Sequence, residues 1–377
     1  MRNGRLIGIT PGVACLALLA SLGATCRQER EPADREAACR DFLTRKMMTA
    51  DGAFLAEGKT PRHCRHRVLD EASLAASGVL SESVGLWMLY AVDVGDRTLL
   101  DQQFKLLQAR LLSQFGLVYW KLSADLDLTA DANASVDDLR IAQALVLAYE
   151  RWNDPRYLDQ ALDLAANLRK WCVKDGVLLD YVSWRDYGPP AGADAASLAY
   201  LDLEAMRSLV PYDAEWAKIR VRAAKILAEG QTDTGLFYAA YDPAAKKYGG
   251  EEGNAIHLAL AASFLADAEP QNHRFLDFVR EQFGEEGKLY AQFNAVKGEA
   301  TQFFESTSVY AICSMLARRQ GDGKLADRLL ERMKESQNLD PESPLYGAFC
   351  DAEVFSFDNL QALRALRMGH DARQTGK

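Results

Sequence analysis

Six strongly apolar, helix-like segments recur along the 377-residue chain at intervals of 50 to 59 residues, and this period limits the fold more than any other feature. They begin at Glu82 in SESVGLWMLYAV, Asp138 in DDLRIAQALVLAY, Ser197 in ASLAYLDLEAM, Asn254 in NAIHLALAASFL, Ser306 in STSVYAICSML and Ser356 in SFDNLQALRAL. Each opens on small, polar or acidic residues and continues apolar at helical spacing. More charged helical segments lie between them, among them RYLDQALDLAANLRKW and KLADRLLERMKES. A helix pair repeated in this way signals a helical repeat or a closed toroid. Apolar helices alternating with charged ones suit two concentric rings, the inner buried on both sides and the outer showing one face to water. The expected fold is all-α, an (α/α)6 barrel, in one domain over 37–377.

The N-terminus carries Arg2 and Arg5 and then an uncharged, largely apolar run from Leu6 to Ala24, the pattern of an export signal over 1–26. A permanent single-helix anchor is the competing reading, weakened by Pro11 and the glycines. Cys26 ends the run as a candidate lipoprotein cleavage site, which would attach the exported protein to a membrane through its N-terminus. A charged linker, 27–36, leads into a first helix around Ala33 to Met48.

The chain is 49% apolar with a formal net charge of −9 and no basic stripe, so nucleic acid is not an expected partner. Seven cysteines include no CxxC pair. Cys39 and Cys64 could pair in an exported protein, but spacing does not decide connectivity. RHCRHR brings together His63, Cys64 and His66, yet its arginines oppose a cation, and the segment reads as basic surface. Neither a metal nor a cofactor is expected.

In a barrel of this kind the inner helices run the same way, so their N-termini gather at one mouth. Glu82, Asp138, Ser197, Asn254, Ser306 and Asp358 would line it, with the loop from Gly230 to Gly253 above. Acids at a helix start can simply cap it, and for Asp137 and Asp138 that alternative stands. Convergent acids and aromatics also suit a sugar cleft, because carboxylates hold hydroxyls and rings stack on pyranose faces. Trp87, Trp120, Trp184, Tyr181, Tyr187, Tyr200 and Tyr241 are candidate platforms, and Asp137 a candidate contact. Trp152 and Trp216 are expected in the core.

These residues resemble glycoside hydrolase family 8. ASVDDLRIAQALVLAYERW, Ala134 to Trp152, follows the family's Ala-(Ser/Thr)-Asp-(Ala/Gly)-Asp signature, with Val136 in place of the first Asp and Asp138 on the second. SESVGLWM keeps Ser81, Glu82, Gly85 and Met88 of the segment that holds the family's general acid. AAYDPAAKKY offers Tyr241-Asp242 for the family's Tyr-Asp base. The resemblance implies an endo-acting, inverting hydrolase of β-linked glucan or bacterial exopolysaccharide. Glu82 would be the acid, Asp242 the base, and Asp138 would hold the reacting sugar. Inversion needs the two carboxyls roughly 6.5–9.5 Å apart. The loss of an acid at Val136 leaves an alternative, a non-catalytic polysaccharide-binding or export-assembly protein. Uronate elimination is weaker still, since only His257 lies near an inner-helix start.

Overall fold

The computed structural model describes residues 34–59, 69–184, 190–350 and 353–375. The signal segment, most of the linker, Cys64 with its flanking histidines, and Tyr187 lie outside the described residues. Thirteen α-helices are present among those described: α1 Arg35–Phe42, α2 Glu71–Ser77, α3 Ser81–Val94, α4 Arg97–Leu106, α5 Ser135–Trp152, α6 Pro155–Cys172, α7 Leu203–Leu209, α8 Glu215–Glu229, α9 Ala255–Ala268, α10 Arg274–Glu286, α11 Thr307–Arg319, α12 Gly323–Lys334 and α13 Ser356–Thr375. Fourteen strands of two or three residues pair antiparallel in the connections. None of the described helices is long and apolar enough to cross a membrane.

Six of the helices are the apolar segments of the sequence. Helices α3, α5, α7, α9, α11 and α13 each touch the next, and α13 touches α3. Helices α4, α6, α8, α10, α12 and α1 pack against them. The burial follows the composition. Helix α3 is buried almost throughout, whereas α12 buries a single stripe, Leu325, Ala326, Leu329, Leu330 and Met333. Trp216 is fully buried in the core, and Trp152 packs edge-on against Tyr157.

The helix starts also differ. Asp34, Asp96, Asp154 and Asp322 cap α1, α4, α6 and α12 by accepting a backbone N–H of the first turn. No side chain caps α3, α5 or α11. The acids that open α3 and α5 are therefore not caps.

A second repeat, which the hydrophobic period did not reveal, lies in the turns. Met48–Phe54, Leu112–Val118 and Gln231–Phe237 each form a bridge across a short reversal. In each, a glycine in the left-handed region (Gly52, Gly116 and Gly235) donates its N–H back across the turn. The sequences TADGAF, SQFGLV and TDTGLF carry that signal.

Candidate active site

The N-terminal turns of α3, α5, α9, α11 and α13, together with Tyr200 from the short 3-10 turn before α7, enclose a cavity of about 540 Å³. Glu82, Asp137, Arg140, Asn254, His257, Ser306 and Asp358 all line it. Phe304, Glu305 and Glu353 reach it from the connections.

Glu82 sits on the first turn of α3, and its carboxyl makes no hydrogen bond to any described residue. A helix N-terminus alone would favour the carboxylate. Burial overrides it and, with the charges of Asp137 and Asp358 and against that of Arg140, pushes the Glu82 pKa up to about 8. Glu82 is therefore a protonated acid at neutral pH.

Asp137 is buried beside it, and its two oxygens are both engaged. Arg140 Nη1 donates to Oδ1 at 2.8 Å and the Ser81 hydroxyl to Oδ2 at 2.7 Å. Burial pushes its carboxyl upward, against the pull of Arg140 and Ser81. The ion pair places the negative charge on Asp137, which helps to keep the proton on Glu82. Gly85 lets the stem of Arg140 lie close against α3: a Cβ there would lie 3.1 Å from its carbons, and the stem would have to shift by a few tenths of an ångström.

Asp358 lines the cavity from α13, the ring neighbour of α3. Its Oδ1 accepts from the Ser308 hydroxyl. Burial raises its pKa while Ser308 opposes the rise. Glu305 is bound on both oxygens by Arg332 and by the Tyr310 hydroxyl. Against the upward push of burial, those partners hold it below the usual range. Burial lowers the pKa of His257, leaving a neutral imidazole in the wall. The Tyr200 hydroxyl is pushed up to about 12 by burial and by Asp137, Asp180 and Glu82.

Several expected site residues lie elsewhere. Asp138 is fully buried outside the cavity, accepting from Val118 N at 3.1 Å and Asn133 Nδ2 at 2.7 Å. A carboxylate facing Ile141 and Ala142 points into the wall of the ring, so it ties chain segments together and does not meet a sugar. Asp242 opens the turn between strands Ala240–Asp242 and Lys247–Gly249, where its Oδ1 accepts from Ala244 N and Ala245 N. It does not line the cavity, and neither does any residue from Gly230 to Gly253. Asp-Pro turn chemistry accounts for it.

Trp87 is fully buried between Phe54 and Tyr90, and Trp184 is buried against Phe115 and Tyr119. Tyr241 is buried under Tyr248, its hydroxyl bonded by Arg222. These three rings are core, not platforms. Tyr181 is exposed outside the cavity, and Ser197 spends its hydroxyl on Asp180. Trp120 and Tyr200 do line the cavity. Cys39 is buried with its thiol donating to the Asn359 carbonyl.

The cavity also contains residues that the sequence reading did not select. Arg140 had a legible signal, a basic residue three positions after Asp137 on an otherwise apolar face. Glu305, Glu353 and Phe304 lie in connections without a periodic pattern, and only folding brings them to the mouth. Among the described residues no group of three His, Cys, Asp or Glu side chains could hold a metal ion.

A helical ring whose N-terminal turns surround a protonated carboxylic acid and a second carboxylate has the equipment for acid–base cleavage of a glycosidic bond. Residues 36–180 match the model of glycosyl hydrolases family 8. A Bacillus subtilis (strain 168) protein named as a lipoprotein, YdaJ, is 27% identical over 291 residues, 76% of this chain and 78% of that protein. Among solved structures, a novel α-amylase from Clostridium perfringens is 28% identical with a TM-score of 0.79, over 88% of this chain and 97% of that one. The endoglucanase Cel10 of Klebsiella pneumoniae, a family 8 glycosyl hydrolase, shares the fold at 18% identity and a TM-score of 0.60, over 88% of this chain and 99% of that one. The match over residues 36–180, together with the fold shared with family 8 enzymes, supports a glycoside hydrolase.

Proposed function

We propose that this protein is an exported, endo-acting, inverting hydrolase built on an (α/α)6 barrel, cleaving a β-linked glucan or a bacterial exopolysaccharide. The observation that carries the reading is Glu82, a carboxyl held protonated at neutral pH in the cavity wall, with no described partner competing for its proton. Glu82 donates that proton to the departing glycosidic oxygen. Asp358 takes the place expected of Asp242 and accepts a proton from the attacking water. Its Oδ1 is oriented by Ser308, whereas Asp137 and Glu305 have both oxygens committed. Glu82 and Asp358 stand on the first turns of neighbouring helices, near enough for the charge of Asp358 to raise the Glu82 pKa, and inversion requires their carboxyls roughly 6.5–9.5 Å apart. Asp137 and Arg140 maintain the charge balance, and Trp120 and Tyr200 contact the sugar.

The likeness to an α-amylase favours a second substrate, an α-linked glucan, on the same machinery. Export and attachment to a membrane through the N-terminus are supported by the relative named as a lipoprotein. N-terminal sequencing and detergent partitioning of protein from its host test that part. An intact Met1 on protein recovered from the cytoplasm would refute it.

The deciding experiment is incubation with β-glucans, α-glucans and exopolysaccharides, with products read by mass spectrometry and anomers by NMR. Inverted products from wild type and none from Glu82→Gln are expected. Binding without cleavage by wild type, on every polymer offered, would give the non-catalytic reading its place.

A further inference from the structure

Behind the floor of the cavity lies a second chamber of about 330 Å³, walled by residues of all six inner helices. It shares Arg140 and Leu260 with the first cavity and reaches toward the opposite end of the ring, where Asp93 and Arg319 stand on the last turns of α3 and α11. Three ion pairs line that end: Arg319 with Glu204 at 2.9 Å, Arg364 with Asp93 at 3.3 Å and Arg367 with Asp371 at 2.9 Å. The polar groups deeper in are unpaired. Gln143 and Gln361 are only 6% and 3% exposed, yet neither side-chain amide bonds to any described residue. The Ser263 hydroxyl is buried and has no partner among the described residues. Asp202, 6% exposed, accepts from Ala205 N at 2.9 Å with one oxygen, and its other oxygen meets no described donor. Leu86, Leu260, Phe264 and Ile312 supply apolar wall beside them. Buried amides and carboxyls without partners are costly, so a set of them around one open space points to an occupant.

The charges select its class. Four guanidiniums line the chamber, those of Arg140, Arg319, Arg364 and Arg367, and each already holds a carboxylate. A cation would enter among like charges, and an anion would have to displace an existing partner. A neutral molecule with several hydroxyls meets neither cost. The two amides offer it donors and acceptors, the Asp202 carboxyl accepts, and the apolar wall covers its C–H faces. We propose that this chamber is a second binding site, for an uncharged polyol of monosaccharide size held by Gln143, Gln361 and Asp202. Small-molecule sites span roughly 300–1,000 Å³, and a chamber at the lower limit suits a free sugar and not a polymer. The proposal needs only the chamber and does not depend on the hydrolase reading.

Thermal melts in rising concentrations of glucose, galactose or mannose test it, with putrescine and phosphate as charged probes. At about ten times its Kd, at least one sugar should raise the wild-type Tm saturably, by about 2 °C. Gln143→Leu and Gln361→Leu each replace an unpaired amide with an apolar side chain, so both should fold and melt no lower than wild type. In both, the saturable shift should vanish, leaving only the gradual rise that any excluded sugar produces. Trp120→Ala, a change in the first cavity, should keep the shift. Equal shifts in wild type and both glutamine variants overturn the proposal. So does a shift that Trp120→Ala abolishes, which would put the sugar at the mouth of the ring. The absence of a saturable shift with all three sugars overturns it as well, and a response to putrescine or phosphate alone would replace the polyol with a charged ligand.

Discussion

At the scale of single residues, Glu82 joins chemistry and stability through one proton. Its pKa is raised from the ordinary carboxylate value to about 8, so the folded state holds a proton that the unfolded state releases above about pH 4.5. The unfolded chain therefore binds fewer protons between those limits, and stability falls as pH rises from about 4.5 to 8. Glu82→Gln keeps a neutral side chain at every pH. It should melt close to wild type at pH 5 and above it at pH 8.5, by thermal unfolding followed at both values. Its turnover should fall by about 10²–10⁴-fold, the usual cost of losing a positioned proton donor. Wild-type activity should itself decline above about pH 8 as the acid ionises. Asp358→Asn should lose turnover on the same scale with little change in melting. Near-normal hydrolysis by that variant would move the base to Glu353, a further carboxylate that lines the cavity.

At the scale of elements, the acid at the head of an apolar helix face has a structural explanation. Asp138, Tyr310 and Asn359 all occupy the fourth position of an inner helix. Each accepts a backbone N–H from the preceding connection, Asp138 from Val118, Tyr310 from Leu289 and Asn359 from Phe349. Three different side chains thus tie the loop that precedes an inner helix back onto that helix. A buried amide left without its acceptor is costly, so Asp138→Ala should destabilise by roughly 2–4 kcal/mol in urea unfolding. Little change in stability, with a large loss of sugar binding, would restore Asp138 to the cleft. Gly347 sets a different limit. It holds φ +94°, and a Cβ there would collide with the Ala38 carbonyl of α1. Gly347→Ala should therefore cost several kcal/mol, more than the roughly 1 kcal/mol typical of a point substitution, and loosen α1 from α13.

At the scale of the molecule, what matters is closure. Helix α13 touches α3, α11, α12 and α1, joining the two ends of the chain. A chain stopped before Ser356 would leave apolar faces of α3 and α11 uncovered and remove Asp358 from the cavity. Such a truncation should lack a cooperative thermal transition, as followed by circular dichroism. A folded, sharply melting product would show that the ring does not depend on its last helix.

The period of apolar segments was enough to find the inner helices, because burial on both sides demands apolar residues all round a helix and leaves a pattern in any single sequence. The same pattern brought Glu82, Asn254, Ser306 and Asp358 to one mouth, since helices running in the same sense must start at the same end. What the sequence could not decide was the direction in which each polar side chain at a helix start points. Asp137 and Asp138 are adjacent, yet one meets Arg140 in the cavity and the other binds Val118 in the wall. That difference depends on a partner 20 residues away in sequence and on a rotation of about 100° between neighbours along a helix. Trp87, Trp184 and Tyr241 became core for the same reason, because an aromatic ring stacks on a sugar or on another ring by the same physics. Only the tertiary neighbours, Phe54, Tyr119 and Tyr248, determine which. Phe304, Glu305 and Glu353 reached the site from connections with no period at all, and there the fold alone decided.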